Sequence, residues 1–176
     1  MSKFDSIIFD IAANNYGLIT SAQARNAGIG NQEMVQYARR GRIERVGHGV
    51  YRLTQRIPEQ NDPYALAVAL VGPDSYLFGE AVLGLLGLCP VNPAYLHVAT
   101  PKRTRRSLPN YIRVVHTPGK QKEAVYEGIP CQHVVGAISA ARKHMLPERL
   151  ADATVRAREE GYITKREAET LMTRSP

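Results

Sequence analysis

The stretch Tyr37–Leu53 reads YARRGRIERVGHGVYRL. Five arginines stand in it, Arg39, Arg40, Arg42, Arg45 and Arg52, against one acid, Glu44. Two short runs, RIERV and VYRL, alternate apolar and polar residues around GHG, the pattern of a β-hairpin. Just upstream, Met34, Val35 and Ala38 fall on one face of a helix together with Asn31, and Gly41 supplies its stop. The opposite face then carries Gln32, Glu33, Gln36, Tyr37, Arg39 and Arg40. The stretch therefore predicts the end of a polar-faced helix followed by a two-stranded wing. Ile43, Val46, Val50 and Leu53 are the residues expected to hold that wing onto a core.

Working outward, Phe4, Ile7, Ile8, Ile11 and Ala12 keep helical spacing, so residues 3–15 read as an amphipathic helix that NNYG ends. GLIT is a short extended piece. Thr20 reads as an N-cap, with Gln23 three residues on completing a capping box. The helix SAQARNAG closes at Gly28, a C-cap glycine. The order is helix, strand, helix, tight turn, helix, hairpin, which is a winged helix-turn-helix.

That arrangement suits double-stranded DNA. The second helix of the pair enters the major groove, where Asn and Gln read adenine edges and Arg reads guanine. Wing arginines reach phosphates or the minor groove. The candidate DNA-contacting residues are Ser21, Asn31, Gln32, Gln36, Tyr37, Arg39, Arg40, Arg42, Arg45, His48 and Arg52, with the GHG tip nearest the duplex. Tyr37 has an alternative, packing against the wing. A trihelical unit with a hairpin also serves protein contacts, so a docking module that binds a partner directly stays open.

Charge sharpens the partner class. The 176 residues carry a formal charge of +7, which favours nucleic acid or another anionic surface. Residues 58–99 hold Glu59, Asp62, Asp74 and Glu80 and no Lys or Arg. Residues 100–122 hold seven bases and no acid. Within the latter, Lys102, Arg103, Arg105, Arg106 and Arg113 form a second basic patch, for a phosphate backbone, RNA or an acidic partner. Between the basic regions, TQRIPEQNDP at residues 54–63 is polar with two prolines, and marks the expected division into a DNA-binding domain, 1–56, and a second domain, 57–176.

In the second domain, DPYALAVALVG reads as a helix capped by Asp62 with Pro63 at its first turn, and EAVLGLLGL as a buried helix. AYLHVATP, YIRVVHTP and GIPCQHV read as strands bounded by Pro93, Pro101, Pro109, Pro118 and Pro130; GAISAARKHM and ERLADATVRAREEG read as helices. The expected fold class is α+β, a winged helix-turn-helix followed by a small mixed α/β domain of undetermined sheet order. Near the end, GYITKREAETLM echoes GLITSAQARNAG through a Thr164–Glu167 capping box; no basic wing follows, so it reads as a recurring helix start.

Enzyme chemistry has little footing. The histidines, at 48, 97, 116, 133 and 144, show no HExxH, HxH or His/Cys spacing. His97 and His116 lie in expected strands and read as packed or hydrogen-bonded side chains. Cys89 and Cys131 form no CxxC, which argues against zinc and against a disulfide framework. No GxSxG elbow or phosphate-binding loop occurs. The expectation is a non-enzymatic cytoplasmic protein with no cofactor and no metal. The acidic residues within the first apolar stretch do not suit a signal peptide, and no apolar run approaches the roughly 18 residues of a membrane span.

The stretch GLITSAQARNAGIGNQEMVQYARRGRIERVGHGVYRL resembles the N-terminal domain of AbiE-type antitoxins, the AbiEi family of type IV toxin–antitoxin and phage-defence operons. The resemblance is carried by Gly17 to Thr20, Ala24, Gly28, Ile29, Arg40, Gly41, Ile43, Arg45, Val46 and Gly49 to Leu53. It continues more weakly through YLFGEAVLGLLGL, where Phe78 and Gly79 replace the family's Ser/His positions and Glu80 matches, then through YLHVATPKRTRR and YEGIPCQHVVGAISAARKHML. It implies an antitoxin that binds inverted repeats in its own promoter as an autorepressor and neutralises a cognate nucleotidyltransferase-like toxin, with or without a direct complex.

Overall fold

A computed structural model describes residues 3–90 and 94–174. Pro93, expected to bound a strand, lies outside them. The chain forms two compact units, Met1–Gly72 with Arg105–Leu108, and Pro73–Thr104 with Pro109–Pro176.

In the first unit the order is α1 (Lys3–Ala13), β1 (Leu18–Thr20), α2 (Ser21–Asn26), α3 (Asn31–Arg39), β2 (Ile43–Gly47), β3 (Val50–Leu53) and α4 (Asp62–Val71). The three strands make one antiparallel sheet in the order β1-β3-β2. β1 joins because Ile19 and Leu18 find partners in Tyr51 and Arg52, while Ile43 pairs with Leu53. Apolar side chains from each element then meet: Ile8, Ala12, Ile19, Ala24, Ile29, Met34, Tyr37, Ile43 and Tyr51 form one buried cluster. At roughly 1.5–3 kcal/mol per large side chain taken out of water, this cluster is what holds the helices on the sheet.

The turns explain why α2 and α3 stop where they do. Gly28 has φ +80° and Gly41 φ +69°, left-handed values that glycine adopts without strain. After Gly28, the Ile29 N–H donates back to Ala24 O at 2.8 Å; after Gly41, the Arg42 N–H donates to Tyr37 O at 3.1 Å. Both are helix ends in which the residue past the glycine closes the last turn. The first drops Ile29, 1% exposed, into the core. Thr20 caps α2 as expected: its hydroxyl accepts from the Gln23 N–H and the Gln23 side chain accepts from the Thr20 N–H.

The second unit holds β4 (Tyr76–Leu77), α5 (Glu80–Leu85), β5 (Leu96–Thr100), β6 (Ile112–His116), β7 (Ala124–Tyr126), β8 (Ile129–Cys131), α6 (Val134–Ala141), α7 (Pro147–Glu159) and α8 (Lys165–Thr173). Its sheet is mixed, in the order β6-β5-β4-β8-β7. The β5–β6 and β4–β8 pairs are parallel and the others antiparallel. α5 packs on β5 and α6, and α6 on α7 and α8. β4 and β7 escaped the sequence reading because two- and three-residue strands are too short to show alternation. The Thr164–Glu167 capping box forms at the start of α8.

Two expectations about the first unit change. Asp62 does not cap α4; Asn61 occupies that position without a side-chain cap, and the Asp62 carboxylate binds Arg56 instead. Arg56 also reaches Glu59 at 3.1 Å and lies over Gly17, where a Cβ would fall 2.2 Å from its Cδ. The polar segment 54–63 is thus pinned, and α4 groups with the winged unit rather than with the residues that follow.

Candidate nucleic-acid interface

Of the exposed side chains of α3, Gln32, Gln36 and Arg39 lie at i, i+4 and i+7, opposite the face that buries Met34 and Tyr37. Asn31 is exposed at its first residue. Gln32, Gln36 and Arg40, with Phe4, Glu33 and Tyr37, line a shallow groove of ≈ 300 Å³ between the start of α1 and α3. Arg40 and Arg42 stand on either side of Gly41, both exposed, so the helix end and the start of β2 form one basic ridge. No salt bridge among the described residues engages Arg39, Arg40 or Arg42.

Tyr37 is corrected. It is 7% exposed and belongs to the core cluster, with only its edge at the groove. Val35, expected inside, is 42% exposed. The buried face of α3 keeps Met34 and Ala38 but takes Tyr37 in place of Val35. The amphipathic Tyr37 ring fills the position that places Met34 and Ala38 against the core, and Val35 turns out beside Gln32, Gln36 and Arg39.

Arg52 is paired within the hairpin. On the hairpin it stands opposite Glu44, and its Nε and Nη2 both donate to Glu44 Oε1, at 2.9 and 2.6 Å. The two charges cancel locally. Arg45 stays exposed, its Nε donating to Gly47 O at 3.3 Å.

The hairpin tip does not project freely. Gly47 lies against α4 so closely that a Cβ there would fall 2.1 Å from Leu70 Cδ2. Arg106 donates to Leu70 O at 3.2 Å and towards His48 O at 3.4 Å. On the other side, the Ser21 N–H donates to Gly49 O at 2.8 Å, which places half-buried Ser21 beside the turn. The His48 side chain is exposed, but its backbone is clasped. A register shift between Arg45 and Gly47 leaves Val46 out of the ladder and only partly buried, whereas Ile43 and Val50 are fully inside.

The second basic patch also divides. Arg106 is half-buried and holds backbone carbonyls, a structural task. Lys102 pairs with Asp74 at 3.1 Å. Arg113, on β6, lies over the Tyr95 ring with 3.9 Å to its centroid. Arg103 and Arg105 are exposed. Sequence spacing could not reveal the Arg106 clasp, since its partners are 36 and 58 residues away.

A trihelical core, a polar third helix and a hairpin paired through β3 to the strand before α2 make the first unit a winged helix-turn-helix. Residues 6–54 match the family model of a transcriptional regulator, AbiEi antitoxin. The match covers the winged unit up to the end of β3, the same segment that carries the sequence resemblance. No curated protein matches the chain. No described helix is long and apolar enough to cross a membrane.

Proposed function

We propose that this protein binds double-stranded operator DNA through residues 1–56 and acts as a transcriptional repressor of its own operon. The observation that carries the reading is the basic ridge Arg39–Arg40–Arg42 continuing the outward Gln32–Gln36 face of α3, with Arg45 on the wing. Gln32, Gln36 and Asn31 read base edges, Arg39 reads guanine or phosphate, and Arg40, Arg42 and Arg45 hold phosphates. Exposed Val35 sits where a thymine methyl would be met. Ser21 and His48 contribute from beside the hairpin turn, and Arg103 and Arg105 are further candidates for the backbone.

The AbiEi match supports an antitoxin role. On this reading, the second unit neutralises a nucleotidyltransferase-like toxin in a type IV, phage-defence system, in the cytoplasm and without enzymatic activity or cofactor. The operator is an inverted repeat, as suits a paired winged helix.

The test is a mobility-shift titration of the protein's own promoter fragment over a salt series. Affinity should fall steeply with salt, and the double variant Arg42→Ala with Arg45→Ala should reduce the slope of log K against log salt by about 2. Salt-insensitive binding, or a double variant indistinguishable from the parent, overturns the reading. Nuclease-resistant co-purification with the neighbouring gene product, without operator binding, would favour the docking-module alternative.

A further inference from the structure

In the second unit, three side chains far apart in sequence converge. Glu80 is the first residue of α5, His97 is on β5, and His144 is in the turn that follows α6. One ligand atom from each lies within 4.8 Å of the other two. The His97 and His144 rings are stacked, with centroids 5.4 Å apart. Glu80 Oε1 is 3.8 Å from His97 Nδ1, too long for a hydrogen bond.

His97 Nδ1 is buried and has no hydrogen-bond partner among the described residues. A buried ring nitrogen left unsatisfied costs roughly 1–3 kcal/mol, and such an atom calls for an explanation. A hydrogen bond to the Glu80 carboxylate does not supply it at this distance. Burial holds the His97 imidazole below its ordinary pKa, Arg113 and His144 push the same way, and Glu80 opposes them.

We propose that Glu80, His97 and His144 form a binding site for a divalent transition-metal ion, with zinc the best match to the donor set. Two imidazoles and a carboxylate are borderline ligands that suit zinc, and three protein ligands leave a fourth position for water. Ligands on a tetrahedral zinc with ~2.0–2.1 Å bonds lie roughly 3.3 Å apart. The 3.8 Å pair needs a small closure, and His144, exposed and in a turn, can supply the rest by rotating. The ion fastens the turn after α6 to β5 and α5. The site is independent of the DNA-reading unit, because all three ligands lie in the second unit.

The experiment uses the untagged full chain, stripped with a chelator and titrated with zinc against a chromophoric competitor. One zinc per chain with a Kd of about 1 μM or tighter is expected, with a zinc-dependent rise in the unfolding temperature. His144→Gln, at an exposed position, should fold and weaken zinc binding at least about tenfold, and Glu80→Gln should weaken it as well. A cobalt-loaded sample should show tetrahedral visible bands that His144→Gln abolishes. Binding weaker than about 100 μM, or equal affinity in both variants and the parent, overturns the proposal.

Discussion

Arg52 places two of its guanidinium nitrogens on a single Glu44 oxygen across the β2–β3 hairpin, at 2.9 and 2.6 Å. The pair is partly exposed, so its contribution to stability is small, about 0–1 kcal/mol. If the wing holds DNA as proposed, the pair matters there, because a wing cation is already engaged by a wing anion. Arg52→Ala should therefore change the salt slope of operator binding by much less than 1, whereas Arg42→Ala should lower it by about 1. Glu44→Gln should tighten binding by freeing Arg52. Mobility shifts at several salt concentrations read all three variants; equal slopes for Arg52→Ala and Arg42→Ala would remove the distinction.

Tyr37 separates packing from reading on the same helix. Its ring is part of the core cluster. Truncation to Ala should cost about 3 kcal/mol or more in stability, as for other buried aromatic residues. Tyr37→Phe keeps the buried ring and removes only the hydroxyl, and should leave operator affinity within about twofold if the residue serves packing alone. Urea denaturation and DNA titration of the two variants give the answer. A large affinity loss in a stably folded Tyr37→Phe would return Tyr37 to the interface.

The hairpin tip offers a steric test. Gly47→Ala would set a methyl 2.1 Å from Leu70 Cδ2, and Leu70 is 4% exposed, with little room to retreat. Overpacking of this kind costs about 1–3 kcal/mol. Arg106→Ala removes a charged donor from Leu70 O and His48 O and should cost about 1–3 kcal/mol. Both variants should lower the unfolding temperature. If Arg106 were instead a phosphate contact, its removal would spare stability and reduce the salt slope.

Acid should loosen the segment that ties α4 to the winged helix. Burial pushes the Asp62 carboxyl up, but the bound Arg56 guanidinium and a backbone hydrogen bond from Glu59 outweigh it and hold the group below its ordinary value of 3.8. A carboxylate depressed in the folded state contributes stability that is fully present above the unfolded pKa and is lost as pH falls through the folded one. Stability should thus decline below about pH 4. Asp62→Asn should be less stable at neutral pH and show a shallower acid limb. Thermal unfolding from pH 7 to pH 2.5 measures both; parallel curves for parent and variant would contradict the coupling.

The local geometry of the candidate interface was legible wherever its signal was local. Thr20 and Gln23 form their capping box because both groups lie within one helical turn. Gly28 and Gly41 end helices because only the local φ is at issue. Arg39, Arg40 and Arg42 sit exposed at a helix end that a single glycine defines. The buried face of α3 was harder to read. Val35 and Tyr37 differ by two residues, and which of them faces inward depends on the cavity that Ile8, Ile43 and Tyr51 leave for a ring.

The amino-acid order by itself determined the winged helix-turn-helix, its helix boundaries, its polar third helix and the resemblance to AbiEi antitoxins. The first three rest on periodicity, capping or turn chemistry within a few residues; the resemblance rests on the motif residues between Gly17 and Leu53. Tertiary structure alone decided which charges remain available. Arg52 is taken by Glu44, Arg106 by the carbonyls of Leu70 and His48, and Lys102 by Asp74. It also decided the order of the five-stranded sheet and the meeting of Glu80, His97 and His144. Composition states how many cations and ligands a chain has. Only the packing of distant segments, driven by burial of the apolar core between them, sets which of those groups meet each other and which face solvent.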